Sequence, residues 1–243
     1  MLNIIDDNGV RRLHFGSPAV QGAMRLDRPN DIELEYVQPM MMWLLFRGEA
    51  GHIVQLGLGA AALTKFCYRR LAPARVTAVE LNPGVIEACR RYFALPPDDE
   101  RLSVLNMDAM EYVADFSRRR SVDILQVDLY DAQAHEPLLS TEAFYAACAR
   151  TLTFKGMMTV NLYCDWPRHL HHIRMIEQSF EAVAWLPEVH DGNIVAIAFK
   201  QAPAVEFDAL YQRAEQIRSG LGLPAEGWVA GLYQWMSGEL EHA

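Results

Sequence analysis

Short apolar segments alternate with helix-like segments along most of the chain after residue 51. Seven of them are predicted strands: HIVQLGLG (52–59), RVTAVEL (75–81), LSVLNMD (102–108), VDILQVD (122–128), GMMTVNLY (156–163), VAWLPEV (183–189) and NIVAIAFK (193–200). Segments of helical composition separate them, at 60–71, 83–94, 109–116, 141–152 and 167–180. Strands that are apolar nearly throughout and alternate with helices are typical of a parallel sheet covered on both faces. The pattern therefore predicts a doubly wound α/β fold around a mostly parallel, seven-stranded sheet.

The residues on either side of this alternation follow different patterns. The N-terminal part looks extended, with strands predicted at Val10–Phe15 and Ala19–Leu26 around the turn residues Gly16-Ser17-Pro18. Tyr36–Arg47 is rich in Met and is predicted to form a buried helix, and the C-terminal part looks helical. We therefore predict three regions: a small N-terminal β extension (1–38), a Rossmann-like domain (39–203) and a helical C-terminal tail (204–243).

Composition and charge exclude several classes of protein. The chain has 243 residues, of which 51% are hydrophobic and 22% charged, so it is not a largely disordered protein. Its formal net charge of -9 disfavours contact with phosphate backbones, and we expect no nucleic-acid partner. The longest apolar run, Pro39–Phe46, is far shorter than the roughly 20 residues that cross a membrane. The N-terminus lacks the basic region of a signal peptide, so a cytoplasmic location is expected.

Cysteine and histidine do not predict a metal site. The four cysteines are scattered and form no C-x-x-C pair, which favours buried free thiols in a reducing compartment over disulfides or zinc. His169, His171 and His172 lie close together, but they fall on a predicted helix beside two arginines. No metal is therefore expected.

The first two strands of the alternation end in residues that suit a nucleoside. In a doubly wound sheet, ligands bind beyond the carboxyl ends of the strands, at the switch point. Gly57 and Gly59 follow the first strand and permit a tight turn with close approach of the backbone to a ligand. Glu80 ends the second strand about 20 residues later, where a carboxylate accepts hydrogen bonds from ribose hydroxyls. These residues predict a ligand that contains a nucleoside.

Two interpretations of the nucleoside site are open. The G-x-G-x-x-A pattern that begins at Gly57 also fits a dinucleotide-binding fold. Asp108, followed by Ala109, comes after the third strand, where an acid can accept a hydrogen bond from the amino group of adenine. This acid favours an adenosyl sulfonium compound, and a nicotinamide nucleotide is the less favoured alternative.

A pair of carboxylates follows the fourth strand. Asp128 directly ends an apolar strand, where burial of an acid is costly unless it has partners or a function. Asp131 lies three residues later, and both acids could line one side of a pocket. Two carboxylates can hold an ammonium group, and one of them can take its proton as the amine becomes a nucleophile. The alternative is that Asp128 caps the following loop and Asp131 is solvated.

The chain resembles the spermidine synthase (polyamine aminopropyltransferase) family, within the class I S-adenosylmethionine-dependent methyltransferase fold. The resemblance covers roughly residues 18–200. It is carried by the segments Ala19-Val20-Gln21, Tyr36-Val37-Gln38, the glycine loop, Val79 to Pro83, Asp108-Ala109, Asp128 to Asp131 and Ser140 to Tyr145.

The resemblance implies a role for each matching residue. Gly57, Gly59, Asp108 and Ala109 would bind the nucleoside of decarboxylated S-adenosylmethionine, and Glu80 would hold its ribose. Asp128 would deprotonate a small amine such as putrescine, Asp131 would help to bind an amine, and Gln21 and Tyr36 would lie at the edge of the two sites. The family also implies release of methylthioadenosine and a homodimer.

The chain departs from the family pattern at positions that bind amines. Ala60 replaces the Asp of the family's glycine loop, Gln38 replaces an acid, and Asn161 replaces a Gln. These changes leave the acceptor amine open. They also leave two alternatives: a methyltransferase that uses intact S-adenosylmethionine, whose carboxylate Ala60 would tolerate, and a non-catalytic nucleoside-binding homologue.

Overall fold

A computed structural model describes residues 2–16, 19–130, 139–163, 166–186 and 193–238 of the chain. The strands are β1 (Asn3–Asp7), β2 (Val10–His14), β3 (Val20–Arg25), β4 (His52–Leu56), β5 (Arg75–Glu80), β6 (Leu102–Asn106), β7 (Val122–Val127), β8 (Leu152–Tyr163), β9 (Ala182–Trp185) and β10 (Asn193–Phe199). The helices are α1 (Ala62–Arg70), α2 (Pro83–Tyr92), α3 (Ala109–Ala114), α4 (Glu142–Thr151), α5 (Trp166–Glu177), α6 (Phe207–Leu221) and α7 (Ala225–Ser237).

Seven strands form the central sheet in the order β6-β5-β4-β7-β8-β10-β9. The pairs from β6 to β8 are parallel, and β10 is antiparallel to both of its neighbours. The predicted doubly wound, mostly parallel sheet is therefore confirmed. Strand order reverses direction between β4 and β7, which creates a crevice at their carboxyl ends.

Both faces of the sheet are covered by apolar layers, as a parallel sheet requires. One layer contains Met40–Leu45 together with α1, α6 and α7, and the other contains α3, α4 and α5. In the C-terminal tail, Trp228 is buried and Trp235 packs edge-on against Trp185. The tail thus packs on the sheet, while the division of the chain at residues 38 and 203 stays a prediction.

The helix predicted at Tyr36–Arg47 is confirmed as a buried helix, but it is shorter than predicted and of the 3-10 type. The segment forms a 3-10 helix over Gln38–Leu45, and residues Pro39 to Leu45 are all buried. The carbonyl oxygen of Met40 accepts hydrogen bonds from Gln126 Nε2 (2.8 Å) and Thr159 Oγ1 (3.0 Å), two side chains of the central sheet. These polar groups of the sheet take up a carbonyl that an α-helix would have paired within itself.

The N-terminal sheet contains one strand that was not predicted. β1, β2 and β3 form an antiparallel sheet, and the predicted strands at Val10–Phe15 and Ala19–Leu26 agree with β2 and β3 to within one residue at each end. β1 pairs with β2 through a turn at Asn8 and Gly9, whose φ angles are 49° and 77°. Asn-Gly with two positive φ angles is the preferred two-residue hairpin turn, so the signal for β1 was present in the sequence.

Cysteines and membrane segments can be judged within the described ranges. Cys67, Cys89 and Cys148 are free and buried, whereas Cys164 lies outside the described residues. No helix among the described residues combines the length and apolar character that a membrane crossing needs.

Candidate active site

A cleft of about 1300 Å³ lies between the N-terminal sheet and the carboxyl ends of β4, β5, β6 and β7. Every predicted site residue within the described ranges lines it: Gln21, Tyr36, Gly57, Gly59, Glu80, Asp108, Ala109 and Asp128. Asp131 lies outside the described residues. The ends of the parallel strands supply six of these residues, and the N-terminal region supplies Gln21 and Tyr36 from the opposite wall.

The turn after β4 needs glycine for two reasons. Gly57 has a φ of 95° and Gly59 a φ of 52°, both in the left-handed region that favours glycine. A Cβ atom on Gly57 would collide with the backbone carbonyl oxygen of Asp128, and one on Gly59 would lie 2.9 Å from the carbonyl oxygen of Gln21. The glycine loop is thus in direct contact with two of the segments that carry other site residues.

Ala60 lies beneath β3 rather than in the cleft. The residue is only 2% exposed, and a Cβ atom on Gly22 of β3 would come within 2.6 Å of the Cβ atom of Ala60. The small residue therefore lets β3 close over the glycine loop. It does not open space for a ligand carboxylate at this position.

Glu80 is held by backbone amides at the end of β5. Its Oε2 accepts from Leu58 N (3.1 Å) and its Oε1 from Asn82 N (2.8 Å). Partial burial raises the pKa of the Glu80 carboxyl, and these amides oppose the shift because they stabilise the charged form. Both carboxylate oxygens are thereby oriented beside the glycine loop, with lone pairs left for ligand hydroxyls.

Replacing Glu80 by Gln should weaken nucleoside binding by about tenfold to a hundredfold. An amide offers one acceptor oxygen, so its NH₂ group would face a backbone N–H that the carboxylate now accepts. Hydrogen bonds to charged groups contribute about 1.5–3 kcal/mol each. Calorimetric titration with methylthioadenosine measures the change, and Glu100→Gln, at an exposed position, is the matched control. Unchanged affinity in the Glu80 variant would contradict this role.

Asp108 has a structural role that the sequence analysis did not predict. It is the N-cap residue of α3, and its Oδ1 accepts from Met110 N (2.7 Å) and Glu111 N (3.3 Å). The cap fixes the direction of the carboxylate within the cleft wall. A contact to adenine would use the same oriented carboxylate.

Asp128 follows β7 and lines the cleft. Its backbone N–H donates to Leu56 O (2.9 Å), and its Oδ1 accepts from Asn161 Nδ2 (3.0 Å). Burial raises the pKa of Asp128, and the hydrogen bond from Asn161 opposes that shift. Burial, and secondly the negative charge of Asp128, raises the pKa of the Tyr36 hydroxyl. A carboxylate with a raised pKa, next to a neutral hydroxyl, is suited to accept a proton.

Several cleft residues were missed by the sequence analysis. Glu33 and Glu35 flank Leu34 in the segment before Tyr36, and all four residues line the cleft. Gln38 stands where the family has an acid, and its Nε2 donates to Ile32 O (2.9 Å), which ties down the two ends of this segment. Val37 N donates to Leu34 O (3.0 Å) and Gln38 N donates to Glu35 O (3.3 Å), so this segment turns, and no strand periodicity in the sequence marks its two acids as cleft residues.

The charges that line the described part of the cleft are mostly negative. They are Glu33, Glu35, Glu80, Asp108 and Asp128 against Arg12. Within the described ranges, no group of three or more His, Cys, Asp or Glu residues could hold a metal ion. An acidic cleft of this kind suits a cationic ligand.

The fold and the cleft define a Rossmann-like α/β protein with a mostly acidic cavity at the switch point of its sheet. The sequence model of the spermine/spermidine synthase domain matches residues 62–208. The chain is also 34% identical over 235 residues to the polyamine aminopropyltransferase of Chromobacterium violaceum, in a match that covers 96% of this chain and 89% of that relative. The chain therefore belongs to the spermine/spermidine synthase family.

Two kinds of solved structure share the fold of this chain. A probable spermidine synthase from Corynebacterium glutamicum superposes with a TM-score of 0.73 at 19% identity, covering 95% of this chain and 91% of that chain. Human methyltransferase-like protein 13 in complex with SAH superposes with a TM-score of 0.69 at 18% identity, covering 79% and 94%. At these identities the structural likeness shows the fold alone, so the family assignment rests on sequence.

Proposed function

We propose that the protein is an aminopropyltransferase, which moves the aminopropyl group of decarboxylated S-adenosylmethionine to a small amine such as putrescine and releases methylthioadenosine. The observation that carries this proposal is the position of Asp128, a carboxylate with a raised pKa inside a mostly acidic cleft. Membership of the spermine/spermidine synthase family supports the same reaction.

The donor side of the site is built from strand ends. Glu80 would accept hydrogen bonds from the ribose hydroxyls, and Asp108 would accept from the adenine amino group. The glycine loop and Ala109 would let the backbone approach the nucleoside, because their small side chains leave room in the cleft wall. Gln21, at the opposite wall on β3, would close the donor site from above.

The chemistry is an in-line displacement at the carbon next to sulfur. The acceptor arrives as an ammonium ion, for which the acids of the cleft have affinity, and Asp128 takes one proton so that the nitrogen lone pair can attack. A C–N bond forms as the C–S bond breaks, and the sulfonium sulfur leaves as a neutral thioether. Tyr36 would orient the amine beside Asp128, and Asp131 would provide a second carboxylate. The protein thus contributes positioning and proton transfer.

The methyltransferase alternative is weaker than the aminopropyltransferase proposal. It depends on Ala60 leaving space for the carboxylate of intact S-adenosylmethionine. Ala60 is buried beneath β3 and provides no such space, while the acids of the cleft would repel the carboxylate of that donor. A homodimer and a cytoplasmic location stay predictions of the family resemblance and of the composition.

Product analysis tests the proposed function. The protein is incubated with decarboxylated S-adenosylmethionine and a panel of diamines and triamines, and methylthioadenosine is quantified. We expect its formation with at least one small diamine, and tighter calorimetric binding of the decarboxylated donor than of S-adenosylmethionine. Absence of methylthioadenosine with every amine would overturn the proposal, and a preference for the carboxylated donor would favour methyl transfer.

A further inference from the structure

Two buried amides form a hydrogen-bonded chain that ends on Asp128. Asn193 Nδ2 donates to Asn161 Oδ1 (2.9 Å), and Asn161 Nδ2 donates to Asp128 Oδ1 (3.0 Å). Asn161 is 3% exposed and Asn193 is 7% exposed, yet both reach the wall of the cleft. Burying two amides is costly unless their polar atoms are paired, and the chain pairs them with each other and with the acid.

The strand register explains why these residues meet. Val127 of β7 lies opposite Val160 of β8, so the next residues along these parallel strands, Asp128 and Asn161, are neighbours. β10 is antiparallel and therefore begins at the edge of the sheet where β7 and β8 approach their ends. Asn161 lies opposite Val195, and Asn193, two residues earlier, projects from the same face of the sheet.

The direction of this chain matters because a side-chain amide has a donor end and an acceptor end. Asn193 gives its NH₂ group to the oxygen of Asn161, so the NH₂ group of Asn161 must point towards Asp128. The reversed amide of Asn161 would place its oxygen against a carboxylate and bring two NH₂ groups together. Asn193 thus selects the orientation that favours an ionised Asp128.

We propose that Asn193 is a positioning residue, which acts through Asn161 to keep Asp128 ionised and correctly oriented as the proton acceptor. The proposal rests on the proposed function for its effect on catalysis, but the amide chain exists whatever the reaction is. The backbone of Asn161 is held in place, because its carbonyl oxygen accepts a hydrogen bond from Tyr130 Oη (2.8 Å). The same hydroxyl oxygen of Tyr130 accepts a hydrogen bond from Tyr163 N (2.6 Å). The strand end therefore cannot adjust freely when Asn193 is changed.

The other titratable groups around Asp128 are the same in the wild-type protein and in the variants proposed below. Tyr36 faces Asp128 from the N-terminal segment, and Tyr130 and Tyr163 lie on the side of β7 and β8. The remaining charged groups of the described cleft wall are Glu33, Glu35, Glu80, Asp108 and Arg12, and Asp131 lies outside the described residues. Apolar substitutions at Asn161 or Asn193 add no charge, so they leave these electrostatic contributions in place.

A double-substitution cycle with Asn161→Leu and Asn193→Leu tests the proposal. The acid limb of the pH–kcat profile should move up by about one pH unit in Asn161→Leu, with about tenfold lower kcat below the midpoint, and by a smaller step in Asn193→Leu. The KM of the donor should change by less than twofold. The double variant should match Asn161→Leu, because Asn193 acts only through Asn161. The proposal would be overturned if the double variant showed the sum of the two single pH shifts. It would also be overturned if Asn193→Leu lost stability while the midpoint of its pH–kcat profile stayed unchanged.

A spectroscopic titration separates this inference from the proposed function. The carboxyl carbon of Asp128 is titrated by carbon-13 NMR in the protein without substrate, with its signal identified by its loss in Asp128→Asn. The midpoint should rise in both single variants, in the order given by the kinetics. If the midpoint rises but no methylthioadenosine forms with any protein, the proposed function fails and the amide chain stands. If turnover occurs but the midpoint is the same in all proteins, the positioning role is wrong.

Discussion

Asp128→Asn is expected to lower the rate of methylthioadenosine formation by roughly 10²- to 10⁴-fold, the range that a general base contributes. The substitution removes proton acceptance but conserves shape, because the Asn oxygen can still accept from Asn161 Nδ2. Nucleoside affinity should change little, since Glu80 and the glycine loop are untouched. Steady-state assays and calorimetry with methylthioadenosine measure the two effects. Asp208→Asn, at an exposed position on α6, is the control.

The pKa of Asp128 also predicts the pH behaviour of this variant. Its folded-state pKa lies above the ordinary value of 3.8, so the ionised form is less stable in the folded protein than in the unfolded chain. The protonated carboxyl of Asp128 therefore contributes to the free energy of unfolding below pH 3.8, and this contribution is lost as the pH rises through the folded-state pKa. Asp128→Asn should therefore unfold with an equal or higher free energy at a pH of about 8. The wild-type rate should fall as acid protonates Asp128. An active Asp128→Asn variant with unchanged kcat would exclude Asp128 as the base.

The fold was predictable because burial on both faces makes the central strands apolar, and this pattern is local in the sequence. A buried helix was also predictable around Gln38–Leu45, but its 3-10 type was not, because the sheet donates hydrogen bonds from Gln126 and Thr159 to Met40 O. These partners are distant in sequence and themselves lie inside apolar strands. Local periodicity cannot report that a sheet will supply polar groups to a buried carbonyl.

The donor side of the candidate site was predictable for a related reason. Gly57, Glu80 and Asp108 each lie at the carboxyl end of a parallel strand, and the carboxyl ends of such strands meet at one edge. Asn193 instead opens an antiparallel strand, and its proximity to Asp128 follows only from the strand order β7-β8-β10. Glu35 belongs to the N-terminal segment, whose packing over the cleft depends on its contacts with the sheet. The residues at the parallel strand ends were predictable, whereas Asn193 and Glu35 were not, because their positions depend on contacts between segments that are distant in sequence.

Gly57→Ala should be among the most damaging single changes in the chain. The new Cβ atom would collide with the carbonyl oxygen of Asp128, and the φ of 95° would be strained for any L side chain. Strain of this kind costs about 1–3 kcal/mol, and relief of the collision must move either the glycine loop or Asp128. We expect the free energy of unfolding to fall by about 3 kcal/mol or more, and methylthioadenosine to bind more than about tenfold more weakly. Denaturant unfolding and calorimetry measure both.

Two other glycines separate the causes of that loss. Gly9 has a φ of 77°, but a Cβ atom at this position would have no neighbour within 4 Å, so Gly9→Ala tests backbone strain without collision. Gly220 lies in α6 with open space around it and no positive φ, so Gly220→Ala should stabilise the protein by about 0.5–1 kcal/mol. Both controls should retain full nucleoside affinity. If Gly57→Ala behaved like Gly9→Ala in stability and affinity, contact between the glycine loop and Asp128 would not be what couples the donor site to the proposed base, Asp128.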